Sequence, residues 1–143
     1  MSVRLQISQV IDRPIDKAFH FYADEHVRNH PRWDPDIELA QVSIGPIGVG
    51  TLIRRRNSRS GTPIEGTMEV VEFERNRAFG VIIHDGPTEI HGRGTFQSEG
   101  DDQTTLTISL ELPGMDESMD TTFLNSRLKR SAENIRRLIE ADM

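Results

Sequence analysis

The chain has 143 residues, 35% hydrophobic and 28% charged, with a formal net charge of −6 and no cysteine. This suffices for one domain spanning 1–143, too apolar for disorder and without the ~20-residue apolar run that membrane insertion needs. The acidic balance argues against nucleic acid or an anionic membrane as partner, and the missing cysteines exclude disulfides, thiolate zinc sites and a cysteine nucleophile.

Val3, Leu5 and Ile7 alternate with polar residues, which predicts a first strand with one buried face. The segment before it has no basic stretch leading into an apolar one, so no signal peptide is expected and a cytoplasmic address fits. Asp12 stands where a helix N-cap should, with Pro14 just inside the first turn. Within that helix Ile15, Ala18, Phe19 and Tyr22 fall at i, i+3, i+4 and i+7, a single core-facing stripe. A second helical turn is expected over 25–30. Pro31 and Pro35 would end it and hold Trp33 in a rigid extended loop.

Ile37, Leu39 and Val42 mark a second strand, 45–50 a turn, and Thr51 the start of a third strand. The run Arg54-Arg55-Arg56 with Arg59 reads as the exposed end of a hairpin, whose charges block edge pairing rather than bind an anion. Residues 60–63 turn the chain into a fourth strand ending near Phe73. There Met68, Val70 and Val71 are apolar in both parities, which a bulge near Val70-Val71 would reconcile. After a turn at 74–77 come a fifth strand over 79–83, a turn at Asp85-Gly86-Pro87, and a sixth strand, Thr88 to Ser98. Beyond a turn at 100–102, Leu106, Ile108, Leu110 and Leu112 alternate with Thr105, Thr107, Ser109 and Glu111 in a seventh strand that Pro113-Gly114 ends. Asp116 to about Met143 reads as one amphipathic helix. Leu124, Leu128, Ser131, Ala132, Ile135, Leu138 and Ile139 share its apolar face, and Asp116, Glu117 and Asp120 complement the dipole at its start. The fold class is therefore α+β: about seven antiparallel strands in a curved sheet around a long C-terminal helix, with two short helices after the first strand.

The segments Ile11-Asp-Arg-Pro-Ile-Asp-Lys-Ala-Phe19 and Asn29-His-Pro-Arg-Trp-Asp-Pro35 resemble the START-like (SRPBCC) superfamily with the helix-grip fold, and within it the polyketide cyclase/dehydrase-like group. Gly48-Val-Gly-Thr51, Val70-Val-Glu-Phe73 and Thr104-Thr-Leu-Thr107 fit the same pattern, so the resemblance covers essentially the whole chain. It implies a cavity between the concave sheet and the long helix. It also implies a hydrophobic ligand of the kind such proteins hold: lipids, sterols, polyketides, plant hormones or quinones. Some such proteins catalyse cyclisation or dehydration, but the resemblance brings no short catalytic motif and no cofactor.

Strand parity suggests what such a cavity would contain. On the sixth strand Ile90, Gly92, Gly94 and Phe96 share one face, and the two glycines either leave room for a ligand or let the sheet bend. A loop of two or four residues at the preceding hairpin pairs Phe79, Val81 and Ile83 with Ile90, Gly92 and Gly94. That pairing sends His84 outward with His91; a three-residue loop would reverse it. Met68 faces inward unless Glu69 does, and an inward Glu69 would be a carboxylate of raised pKa. Tyr22 and Trp33 suit either the cavity mouth or the core. Phe123 and Arg127 flank the apolar stripe of the long helix; Arg127 could anchor an anionic or carbonyl group, or lay its stem on apolar surface. His20, His26 and His30 read as solvated residues of short surface helices. The i, i+4 spacing of His26 and His30 suits a metal, but no carboxylate motif accompanies it and no metal is expected. No phosphate-binding glycine loop or Gly-x-Ser-x-Gly elbow occurs.

The expected function is binding of a small hydrophobic molecule, lipid-, polyketide- or isoprenoid-like. Tyr22, Trp33, Met68, Val81, Gly92, Gly94, Phe96, Phe123 and Arg127 are the cavity candidates. A cyclase or dehydratase using the same cavity, and a ligand-free protein-interaction module that could form a homodimer through its sheet edge, are the alternatives.

Overall fold

The computed structural model of the chain describes residues 3–59, 61–114 and 122–141. Strand β1 (Val3–Ile11) leads into helix α1 (Ile15–Phe19), a π-helical turn (His20–Asp24) and helix α2 (His26–Trp33). Six strands follow: β2 (Ile37–Gln41), β3 (Leu52–Asn57), β4 (Ile64–Glu74), β5 (Ala78–Asp85), β6 (Thr88–Ser98) and β7 (Thr104–Leu112). Helix α3 (Thr122–Ala141) completes the order. All seven strands form one antiparallel sheet in the order β1-β7-β6-β5-β4-β3-β2, so β2 to β7 is a run of hairpin neighbours and β1 returns to pair with β7.

Several boundaries differ from the sequence expectation, each for a local reason. Helix α1 begins at Ile15 with Pro14, not Asp12, in the N-cap position. Asp12 instead donates its backbone N–H to Glu140 Oε2 at 2.9 Å, and the Arg13 guanidinium donates to the Glu140 carbonyl. These bonds tie the entry to α1 to the far end of α3. Trp33 does not sit in an extended loop; it is the last residue of α2, with Pro31 inside the helix. Pro31 lies in the final turn, where its missing N–H forgoes one helical bond, and the Asp34 N–H still reaches the His30 carbonyl at 3.0 Å. The expected acidic start of the last helix, Asp116, Glu117 and Asp120, lies outside the described residues.

The core lies between the inner sheet face and the helices. Phe19 packs edge-on against Phe73 and Phe96, with centroids 5.4 and 5.1 Å away. Leu128, Ala132, Ile135 and Ile139 of α3 are buried in the same cluster. Each large apolar side chain there contributes roughly 1.5–3 kcal/mol of transfer free energy. The register of β4 and β5 shifts between Val70 and Glu72, so the expected bulge is present. Val70 is buried before it and Val71 is left exposed, while Glu72 pairs outward with Arg93 at 2.7 Å. Met68 faces inward and Glu69 outward. The β5–β6 hairpin pairs Ile83 with Ile90, Val81 with Gly92 and Phe79 with Gly94, and His84 is exposed.

One row across the sheet corrects the sequence reading. Arg55 pairs with Gly66, and Gly66 pairs with Asp85. Arg54, Arg55 and Arg56 lie within β3, not at a hairpin tip, and alternate across the sheet: Arg54 and Arg56 point out, and Arg55 points in, only 3% exposed. Asp85, expected in the turn, is the last residue of β5 and is buried. Gly66 between them offers no side chain, so the two charges meet over it: Arg55 Nε lies 2.9 and 3.2 Å from the two Asp85 carboxylate oxygens. A Cβ on Gly66 would stand 2.0 Å from the His84 carbonyl oxygen and 2.9 Å from Asp85 Oδ1. Gly66→Ala should therefore destabilise the fold by about 3 kcal/mol. Urea denaturation checks this, and an unchanged midpoint would show that the row tolerates a side chain.

Candidate functional site

Between the inner sheet face and α3 lies a cavity of ≈130 Å³. The sheet contributes Met68, Val81, Ile83, Gly92 and Ile108 to its wall, and α3 contributes Leu124, Leu128 and Ile135. These follow the inward parity of β4 to β7 and the apolar stripe of the helix. The polar wall has a different origin: His26, His30 and Trp33 come from α2, Asp34 from its exit, Arg55 from β3, Arg59 from just beyond β3, and Arg127 from α3.

Of the sequence candidates, Tyr22, Trp33, Met68, Val81, Gly92 and Arg127 line the cavity. Gly94, Phe96 and Phe123 are elsewhere. The space above Gly94 is filled by the Tyr22 ring, 2.8 Å from where a Cβ would stand, so this glycine is a socket for an aromatic ring rather than room for a ligand. Phe96 is spent on packing, edge-on to Phe19 and to Tyr22 with centroids 5.1 and 5.5 Å away. Phe123 is 62% exposed and lies under the Arg127 guanidinium, 5.6 Å from its ring centroid. Gly92 is different from Gly94. A Cβ there would meet only Val81 and Leu110 side chains at ordinary contact distances.

The residues that sequence reasoning missed are the histidines and Arg55. His26 is buried, against the expectation of a solvated residue, and His30 faces the cavity. The reason is the π-helical turn, closed by the Glu25 N–H on the His20 carbonyl at 3.0 Å, and the α2 that follows it. Together they present Tyr22, His26, His30 and Trp33 to one side. Trp33 stacks on Tyr22 (5.3 Å, 4°) and on His30 (5.0 Å, 16°), forming an aromatic column. His20, by contrast, is exposed beside Asp24, as expected.

The imidazoles fix one another's tautomers. His26 Nδ1 is 2.8 Å from the Tyr22 carbonyl oxygen, which can only accept, so Nδ1 carries the proton. Its Nε2 is then an acceptor, and His30 Nδ1 donates to it at 3.0 Å. The remaining nitrogen of His30, Nε2, is therefore a lone-pair acceptor. Burial, with the charge of nearby Arg55, lowers the His26 pKa to about 4. Burial, His26 and the Arg55 and Arg59 charges push His30 well below its ordinary value. Burial pushes the Tyr22 phenol up, so it stays protonated.

The cations at this end are interlocked with carboxylates. Asp85 holds Arg55 and also accepts from Asn57 Nδ2 at 2.9 Å. Asp34 accepts from Arg59 Nη2 at 2.6 Å and from Arg127 Nη2 at 3.4 Å, and Arg127 Nη2 also reaches Asp36 at 2.6 Å. Neither the described residues nor this donor set contains a cluster of three or more metal-ligating side chains. No described helix is long and apolar enough to cross a membrane.

No protein-family model and no curated protein matches the sequence. Solved structures do match in three dimensions. A START superfamily protein from Mycobacterium smegmatis superposes with a TM-score of 0.76 at 13% identity, over 98% of this chain and 99% of that one. Ara h 8.0201 gives 0.74 at 13% identity, covering 99% and 97%. Norcoclaurine synthase from Thalictrum flavum, in complex with dopamine and hydroxybenzaldehyde, gives 0.72 at 16% identity, covering 100% and 89%. At such identities the likeness is one of fold: the chain has the helix-grip fold of the START-like superfamily.

The buried neutral histidines make stability depend on pH. Their folded pKa values lie below the unfolded one, so the unfolded chain binds more protons between the two, and stability falls as pH drops below about 6.5, for His26 down to about 4. His26 alone should cost about 2 kcal/mol between pH 8 and pH 5. Urea titrations at the two pH values check this. His26→Gln, which keeps a donor for the Tyr22 carbonyl and an acceptor for His30, should flatten the dependence by about that amount.

Proposed function

We propose that the domain binds one small, mainly apolar molecule in the cavity between the sheet and α3. The observation that carries this reading is the retained void. Apolar side chains from four strands and the long helix form most of the wall of ≈130 Å³ that none of them fills, although native interiors normally pack to crystal density. An unfilled apolar cavity costs stability, roughly 24 cal/mol per Å³ by the measure of core truncations, and a ligand recovers that cost.

The size narrows the expected ligand. An apolar cavity of ~150 Å³ accommodates benzene, so the buried part of the ligand here is about one ring. An extended acyl chain or a fused polycycle exceeds that space. Norcoclaurine synthase, which shares the fold, is described with dopamine and hydroxybenzaldehyde, both single-ring compounds. That supports the scale by analogy of fold alone.

The catalytic reading has one observation in its favour, the chain from His30 through His26 to the Tyr22 carbonyl, which holds a free imidazole nitrogen at the cavity. It ranks second because burial makes that nitrogen a weak base, better suited to accepting a hydrogen bond than to removing a proton from carbon. The interaction-module reading is weakened by the cavity itself, since a domain used only through its surface gains nothing from a void.

Native mass spectrometry, followed by extraction of anything that co-purifies, and calorimetric titration with toluene test the binding reading. Gly92→Leu should abolish toluene binding while the protein keeps or gains stability, because the new side chain fills an apolar space. A folded Gly92→Leu variant that still binds toluene would place the ligand elsewhere, and a wild-type protein that takes up no apolar probe would sink the proposal.

A further inference from the structure

We infer that the ligand's polar group is a carboxylate, seated against the Nη1 edge of Arg55 between Arg59 and Arg127, with its ring in the apolar part of the cavity. The inference rests on the binding reading above and specifies its chemistry.

The argument begins with unmet donors. Arg55 is 3% exposed and lines the cavity, and its Nε is committed to Asp85, yet its Nη1 is buried with no hydrogen-bond partner among the described residues. Arg59 Nε and Arg127 Nε are in the same condition, and both residues line the same cavity. Such atoms are few in this molecule. Among the described residues only Arg13 Nε and Asn76 Oδ1 share that state, and neither residue lines the cavity. Three guanidinium groups with unused, desolvated N–H bonds at one end of one apolar cavity make a site that lacks an acceptor.

The protein's own acceptors there are already engaged. Asp85 serves Arg55 and Asn57, Asp34 serves Arg59 and Arg127, and Asp36 serves Arg127 from the rim, where its side chain is 40% exposed. The free lone pair of His30 is an acceptor too, and its Nδ1–H is spent on His26. A hydroxyl ligand can donate to His30 and accept from an arginine, but it brings one neutral oxygen to three guanidinium groups. A neutral carbonyl presents a single oxygen. A carboxylate is acceptor-only, has two oxygens that match a guanidinium edge, and forms the stronger charge-assisted bonds. Arg55, Arg59 and Arg127 converge on this end of the cavity, so an anion placed against their unused N–H groups is bonded by cations.

Calorimetric titration at pH 8 with benzoate, acetophenone and toluene separates the possibilities, since the three share a ring and differ in the group it carries. Benzoate should bind at least roughly tenfold more tightly than acetophenone, as a charge-assisted bond to a buried donor implies. Arg55→Lys, which keeps a cation for Asp85 but removes the Nη1 donor, should erase that preference, lowering benzoate affinity at least roughly tenfold more than toluene affinity. Should Arg55→Lys fail to fold, Arg59→Gln, at a partly exposed rim position, should lower benzoate affinity several-fold more than toluene affinity. Benzoate binding no tighter than acetophenone, or a benzoate preference that persists in the folded variants, would overturn the inference. Toluene uptake without benzoate uptake overturns it as well, because ordered water then serves the arginines, and leaves the apolar-ligand reading standing. Failure of all three probes removes both.

Discussion

The ion pair between Arg55 and Asp85 is the constraint from which the polar end of the molecule is built. Two charges inside a sheet face are costly to desolvate, and a buried pair of this kind persists only with close geometry and further hydrogen bonds. Both conditions are met by backbone placement. The pair spans two inter-strand spacings, about 9–10 Å, across a position where Gly66 has no side chain, and Asn57 adds a third bond to the same carboxylate. Removing either partner would strand the other, a loss of roughly 3–5 kcal/mol in comparable cases. Strand β3 cannot slip by one residue without sending Arg55 out and an unpaired Arg54 or Arg56 in. The pair therefore fixes which face of β3 is inside, and with it the position of Asn57, which holds the Arg59 backbone N–H at 2.9 Å. From Arg59 the network continues to Asp34 at the exit of α2, and from Asp34 to Arg127 on α3. Sheet, short helix and long helix are joined by charge at one end of the cavity.

The opposite wall is fixed by aromatic packing rather than charge. Tyr22, Trp33 and His30 form a column in which Trp33 stacks on both neighbours, and Gly94 accepts the flank of the Tyr22 ring. Because Gly94 lies on β6 and the column on the π-helical turn and α2, this contact sets how near the short helices come to the sheet. Gly92, two residues earlier on the same strand and the same face, has no ring above it. The cavity volume thus follows from two glycines with different neighbours: one is filled by the protein and the other is left open.

Much of this was legible in the sequence. Strict alternation in β7, the inward parity of Phe79, Val81 and Ile83, a hairpin loop of two or four residues, the bulge near Val70-Val71 and the apolar stripe of α3 all follow from period and burial. The structure agrees with each, the loop having two residues. By residue type Arg55, His26 and His30 read as solvated, and Asp85 reads as part of a turn. A purely positional reading would have found two of them. Ile53, Arg55 and Asn57 share one parity, as do Ile83 and Asp85, so strands that bury their isoleucines must also bury those charges. The Asp-Gly-Pro tripeptide at 85–87 disguised the second case, since the same letters spell a turn. The histidines were less accessible. Their burial depends on the π-helical turn and on Pro31 lying within α2, and neither a π turn nor a tolerated helical proline leaves a periodic signal. Phe123 stands on the shoulder of the stripe, where the periodic pattern does not separate a cavity position from an exposed one, and its side chain is exposed.

A site built this way carries its own cost. Unpartnered N–H groups on Arg55, Arg59 and Arg127 and an unfilled apolar volume both reduce the stability of the empty protein. A sequence under selection for stability alone would close the void with a side chain at Gly92 and replace the arginines with groups whose bonds are all made. Neither change demands a new fold, because a Cβ at Gly92 meets only ordinary contacts and the rim arginines are partly solvated. The two imperfections also adjoin one another in one cavity, the apolar one along the sheet and the polar one at its charged end. A single amphipathic molecule relieves both at once. That coincidence in space, more than the size of the void or the burial of any one residue, is the physical ground for reading this cavity as a binding site.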